Sequence, residues 1–205
     1  MEKVKAHIVS WLKAYSEKSN TDGFVIGVSG GIDSAVSSIL CAETNKKVVL
    51  LNMPIRQSAN EFARAERHIE DLKNRYSNVS SHELNLSPVF ESFEKVMPFD
   101  IESNGLSLAN SRARLRMMTL YAVGQANNLL VAGTGNKVED FGIGFYTKYG
   151  DGGVDLSPIA DLNKTEVFAL AKTLNVIQGI QNAAPTDGLW GDGRRDEVQI
   201  GSTYA

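Results

Sequence analysis

The chain has 205 residues, 42% of them hydrophobic and 22% charged, enough for one α/β domain spanning 1–205 with a proper core. The net charge of −3 leaves no excess of cation to neutralise phosphates, which argues against a duplex nucleic-acid binder. A single cysteine, Cys41, excludes an internal disulfide and no apolar run is long enough to span a bilayer, so a cytoplasmic protein is expected.

Residues 1–20 read as an amphipathic helix, with Val4, Ile8, Trp11, Leu12 and Tyr15 on one side; charges interrupt every apolar stretch, unlike a signal peptide. Residues 23–28 read as a buried strand, Ser29, Gly30 and Gly31 as a turn, and Asp33 and Ser34 as the opening of a helix with Ile32, Val36, Ile39 and Leu40 inward. A second apolar strand, 48–53, is closed by Pro54, and a charged surface helix covers 62–72. A weak strand at 79–84, a short helix at 89–96 and a long helix at 106–127 follow. A fourth strand, 129–132, leads into a polar Gly-rich stretch, and a helix covers 163–174. Strands apolar on both faces and alternating with helices predict a Rossmann-like parallel sheet with helices on both faces. Ligands of such sheets bind beyond the carboxyl ends of the strands, which points to loops 29–34, 54–60 and 133–155. Segments 150–153 and 188–195 are expected to be mobile.

The octet Gly27-Val28-Ser29-Gly30-Gly31-Ile32-Asp33-Ser34 lies between strand and helix. Its glycines let the backbone approach an anion, and the helix supplies first-turn amides. The hydroxyls of Ser29 and Ser34 can donate to phosphate. A carboxylate at Asp33 would repel phosphate unless a divalent cation lay between them, so Mg²⁺ is implied. The Walker loop is excluded because no lysine follows the glycines, and the dinucleotide fingerprint because Ser29 stands at its second glycine. The plain alternative is a tight turn with a capping Asp or Ser. The octet resembles the SGGxDS loop of the N-type ATP pyrophosphatases, which implies ATP cleavage between the α and β phosphates.

Two further segments select a substrate. Gly133-Thr134-Gly135-Asn136-Lys137-Val138-Glu139 offers a nucleotide donor in Thr134 and a second Mg²⁺ ligand in Glu139. Residues 145–155 (FYTKYGDGGVD) carry rings, a lysine and carboxylates suited to a large phosphorylated ligand, though a solvated loop is the alternative. With APTDGLW (184–190) and the Asn110-x-x-x-Arg114 helix, the running pattern resembles the NAD synthetases over most of residues 23–204. The chain is one residue longer than the common pattern between Glu139 and Lys148, which opens the metal position to Asp140 instead. It also stops at Ala205, where the family continues into a basic tail, so part of the substrate site is expected to be missing.

On a helical wheel Arg114 falls in an apolar arc with Leu115, Met117, Met118, Tyr121 and Ala122, while Arg112 and Arg116 fall opposite. A buried arginine needs a partner, either a structural carboxylate or a ligand. The resemblance implies that Asn110, Arg114, Lys148 and Asp155 bind nicotinic acid adenine dinucleotide (deamido-NAD). It implies that Gly27, Ser29, Gly30, Gly31, Asp33, Ser34, Thr134, Lys164 and Thr186 bind ATP, that Asp33 and Lys164 are catalytic, and that Asp33 and Glu139 hold Mg²⁺. It also implies ammonia as nitrogen donor and a homodimer to which the helix 106–127 contributes. Two other readings are an N-type ATP pyrophosphatase with a different acceptor and a non-catalytic adenine-nucleotide module.

Overall fold

A computed structural model of the chain describes residues 1–183. Thr186, the APTDGLW segment and residues 188–195 lie outside the described residues. Four parallel strands, β1 (Gly23–Gly27), β2 (Lys47–Asn52), β3 (Val79–Glu83) and β4 (Leu129–Val131), are ordered β3-β2-β1-β4. Helices α1 (Glu2–Lys18), α2 (Ile32–Ala42), α3 (Ala59–Arg75), α4 (Ser87–Glu94), α5 (Gly105–Ala126), α6 (Lys164–Thr173) and α7 (Gln178–Gln181) surround them.

Alternation along the strands divides the core in two. Phe24 and Ile26 of β1 with Val48 and Leu50 of β2 pack against α1, α2, α3, α6 and α7. Val25, Val49, Leu51 and Val131 point the other way, against Phe90 of α4 and Leu108, Met117 and Leu120 of α5. Both faces of β1 and β2 are therefore covered, as their continuous apolar runs require. The third strand was weak in sequence because β3 is the edge strand, with Ser80, His82 and Glu83 exposed. Its partner register sets Val49 against Ser80 and Leu51 against His82.

Helix ends carry local signals. Ser58 caps α3 by accepting from the Glu61 amide at 3.3 Å. Asn163 and Glu166 form a capping box at the start of α6. Beyond β4 the chain extends the sheet through a parallel bridge between Ala132 and Leu156, with the Gly133 amide donating to Leu156 O at 2.8 Å. The segment 150–153 is closed by hydrogen bonds from Gly150 N and Gly153 N at 2.9 Å.

The long helix departs from expectation. Its buried face is Leu108, Ala109, Met117, Leu120 and Gly124, whereas Met118 is 63% exposed and Tyr121 and Ala122 are also exposed. The predicted apolar arc is thus turned largely outward, and Arg114 with it.

Candidate active site

The strand-to-helix turn after β1 is braced from three directions. Gly30 adopts φ +84°, and a Cβ there would lie 2.5 Å from Glu61 O, so only glycine fits. The Ser34 hydroxyl donates to Gly31 O at 3.0 Å and accepts from Ser29 N at 3.2 Å; the two hydroxyls lie 3.1 Å apart. Gln57 donates to Ser29 O at 3.0 Å and Arg64 Nε to Gly30 O at 3.2 Å, tying the second loop and α3 to the turn. The turn is therefore held by its own hydrogen bonds, and the Ser34 hydroxyl has to leave Gly31 O to donate to an arriving phosphate.

Asp33 stands in the first turn of α2. Its Oδ1 accepts from Asn136 Nδ2 at 3.2 Å and its Oδ2 from Lys164 Nζ at 2.7 Å. The same Nζ donates to Glu139 Oε1 at 2.9 Å. One ammonium, 3% exposed, thus bridges two carboxylates delivered by the loops after β1 and β4. Burial lowers the Lys164 pKa, but Asp33 and Glu139 more than offset it, so the ammonium is held charged.

Residues Lys137–Ile143 form a π-helix, a wider turn that takes up one more residue than an α-helical turn. Asn136 caps it, accepting from Val138 N and Glu139 N at 3.1 Å each. Glu139 reaches Lys164, while Asp140 faces the same cavity. Burial, with Asp151, Glu139 and Asp33 nearby, pushes the Asp140 carboxyl up to about 7. Gly135 leaves room for the Asp140 carboxylate, which a Cβ there would displace. Among the described residues no cluster of three or more His, Cys, Asp or Glu is set to hold a metal. Magnesium asks for less, one or two carboxylates completed by substrate phosphates and water. Asp33 and Glu139, already converging on one cation, fit that demand.

These groups open on a cavity of ≈ 500 Å³ bounded by the turn, the loop after β2, α5 and the 133–154 segment. Gly27, Ser29, Gly30, Gly31, Ser34 and Thr134 all line it. Asn110 does too, and accepts from the Thr147 hydroxyl at 2.7 Å. The other three residues expected to contact the dinucleotide lie outside this lining. Arg114 is exposed and donates to Lys148 O at 3.0 Å. The Lys148 ammonium lies 5.0 Å from the Tyr149 ring. Asp155 accepts from Tyr121 at 3.0 Å and from Val131 N at 2.8 Å. They form a rim along the outward side of α5.

Arg116 is the residue the wheel misplaced. It lines the cavity and donates through Nε to Met53 O at 3.0 Å. Burial pulls its guanidinium down to about 10, with Arg112 adding and Glu61 opposing. The available signal was the stripe Ala109, Ala113, Arg116, Leu120, spaced by three and four residues.

The family model for NAD synthase matches residues 4–205. The chain belongs to the NAD synthase family. The NH(3)-dependent NAD(+) synthetase of Alkaliphilus metalliredigens is 41% identical over 202 residues, covering 96% of this chain and 81% of the relative. Among solved structures, the NMN synthetase from Francisella tularensis superposes with a TM-score of 0.91 at 36% identity, over 99% of this chain and 82% of that one. The NH3-dependent NAD synthetase from Campylobacter jejuni gives 0.79 at 32%, over 88% and 76%. Membership makes the chain a ligase that forms a carbon–nitrogen bond. Among the described residues no helix is long and apolar enough to cross a membrane.

Proposed function

We propose that the chain adenylates the nicotinate carboxylate of deamido-NAD with ATP and then amidates it with ammonia, giving NAD, AMP and pyrophosphate. The observation that carries the reading is the convergence of Asp33, Glu139 and Lys164 at the mouth of the phosphate-binding turn. The turn amides and the N-terminus of α2 bind the polyphosphate, with Ser29 and Ser34 as hydroxyl donors and Thr134 on the facing loop. Mg²⁺, held by Asp33 and Glu139, supplies charge neutralisation on the phosphates when bound. Lys164 adds a second positive charge at the leaving pyrophosphate. The carboxylate attacks the α-phosphorus, pyrophosphate leaves, and ammonia then attacks the adenylated carbonyl with AMP as leaving group. Positioning and charge account for the chemistry, with little demand for a general base.

Asn110 inside the cavity, and Arg114, Lys148 and Asp155 on its rim, bind the dinucleotide; Thr186 belongs with the ATP contacts. The rim lies beside exposed Met118 and Tyr121 of α5, and Leu106 is exposed on the same helix. That apolar surface supports a homodimer through α5, which light scattering would read as twice the chain mass; a monomer would refute it. Cys41 is fully buried, and burial drives its thiol pKa upward, away from a reactive thiolate. Free ammonia as the nitrogen donor is supported by the likeness to the NH(3)-dependent relatives.

The Francisella structure, an NMN synthetase, favours a second reading in which the acceptor is the corresponding mononucleotide acid. One assay separates the two: pyrophosphate release and amide formation with each acceptor, using ammonium or glutamine as donor. Turnover with deamido-NAD and ammonium is expected. Preference for the mononucleotide would establish the second reading, and efficient glutamine use would overturn the ammonia assignment.

A further inference from the structure

Lys164 does more in this arrangement than wait for a phosphate. Its Nζ lies 2.7 Å from Asp33 Oδ2 and 2.9 Å from Glu139 Oε1, the two carboxylates that would hold Mg²⁺. An ammonium at that point and a divalent cation on the same oxygens exclude each other, by overlap and by charge. We propose that Lys164 is a built-in counter-ion of the metal position, which must swing from Asp33 and Glu139 before a divalent cation binds them, so that metal and nucleotide load together.

The surroundings are built for such an exchange. Lys164 is the first residue of α6, and the Asn163–Glu166 capping box fixes the backbone beneath it, with Asn163 N donating to Glu166 Oε2 at 2.8 Å. Only the four-carbon arm has to move, and a lysine arm turns readily about its side-chain bonds. Asp33 keeps its bond from Asn136 Nδ2 at 3.2 Å while the ammonium leaves. Asn136 Oδ1 accepts from the Glu139 amide at 3.1 Å, which fixes the backbone that carries the second carboxylate. Asn136 thus holds the Asp33 carboxylate and the backbone of Glu139, and the lysine is the movable member.

A buried ammonium leaves two carboxylates only for a comparable anionic partner, since an uncompensated buried charge is strongly unfavourable. Nucleotide phosphate in the adjoining turn, which lines the same cavity as Lys164, is such a partner. Nucleotide therefore releases the metal ligands, and metal without nucleotide has to displace the ammonium against its own pairing. The inference rests on the proposed role of Asp33 and Glu139 as metal ligands.

The test is Mn²⁺ binding to the full chain, followed by electron paramagnetic resonance, with and without an ATP analogue carrying a methylene bridge between the α and β phosphates. For the unaltered protein, tight Mn²⁺ binding is expected only with the analogue. Lys164→Met should bind Mn²⁺ without the analogue about tenfold or more tightly than the unaltered protein does. Its melting temperature should also rise on adding Mn²⁺, because the cation then relieves the Asp33–Glu139 repulsion. Equal Mn²⁺ affinity of both proteins without the analogue would overturn the proposal. So would equal affinity of the unaltered protein with and without it, a result that needs no variant to fold. Asp33→Asn separates the two levels: if it leaves Mn²⁺ binding to the analogue-loaded protein unchanged, the metal assignment itself has failed.

Discussion

Replacing Arg116 by methionine should make the protein more stable and a poorer enzyme. The guanidinium is pulled down to about 10 from 12.5, chiefly by burial. At neutral pH both folded and unfolded chains carry the charge, so the folded state bears the full penalty. A depression of about 2.5 units at ~1.4 kcal/mol each corresponds to about 3 kcal/mol, an upper figure. The hydrogen bond to Met53 O returns about 1 kcal/mol of that. Methionine fills much of the same volume without charge, so a net gain of about 2 kcal/mol is expected, or about 4–8 °C in melting temperature for a chain of this size. A partly buried charge that costs stability and faces a ligand cavity is suited to binding, so the variant should lose affinity for an anionic substrate by about tenfold or more. Thermal melts and equilibrium binding of ATP and of deamido-NAD read the two effects separately. A variant that melts lower and binds both substrates normally would show that Arg116 is a structural strut, and the reasoning would be wrong.

Three other outcomes follow from the same geometry. Asp33→Asn should nearly abolish pyrophosphate release while leaving the melting temperature within a few degrees; near-normal turnover would remove Asp33 from the metal position. Arg114→Ala should weaken deamido-NAD binding about tenfold and leave ATP affinity unchanged, because Arg114 sits on the rim and not in the cavity; unchanged affinities for both would refute its role. His68 is fully buried, 2.9 Å from the Ser38 hydroxyl, and burial lowers its pKa from 6.5 to about 4. Between those values the unfolded chain takes up a proton that the folded one refuses, so stability falls as the pH drops from 6.5 to 4, by about 3 kcal/mol in all. Denaturant melts of the protein and of His68→Gln across that window check it: the variant's pH slope should be flatter, and parallel slopes would reject the assignment.

The phosphate-binding turn was legible because all its information is local. Adjacent glycines, a carboxylate and two hydroxyls lie between a buried strand and a helix, and the structure places all of them on one cavity. The edge strand was faint for an equally local reason, since Ser80, His82 and Glu83 have one wet side. Arg116 was hidden because the phase of a helical wheel is set by whichever apolar residues are taken as core. Met118 and Tyr121 belong to the exposed surface, and only packing against the sheet reveals it. Nothing in the sequence of Lys137–Ile143 announces the π-helix it forms. The wider turn lets Glu139 reach Lys164 while Asp140 also faces the cavity, so the sequence could not choose between neighbours that the fold uses together.

The placement of the site follows from the order of the strands. From β1 the chain winds outward to β2 and β3, then returns across the sheet to place β4 on the other side of β1. The loops leaving β1 and β4 therefore part in opposite directions and leave a crevice at the carboxyl edge between them, where parallel sheets bind ligands. Asp33 comes from one loop and Asn136 and Glu139 from the other, 103 positions apart in sequence for the Asn136–Asp33 bond. Lys164, 131 positions from Asp33, is brought in because α6 packs against α2, sharing Val167, Leu170 and Ala171 with the same apolar layer. Each polar group is thus delivered by a separate apolar contact, so a core change such as Leu170→Ala should loosen the Asp33–Lys164–Glu139 cluster without touching any of its members.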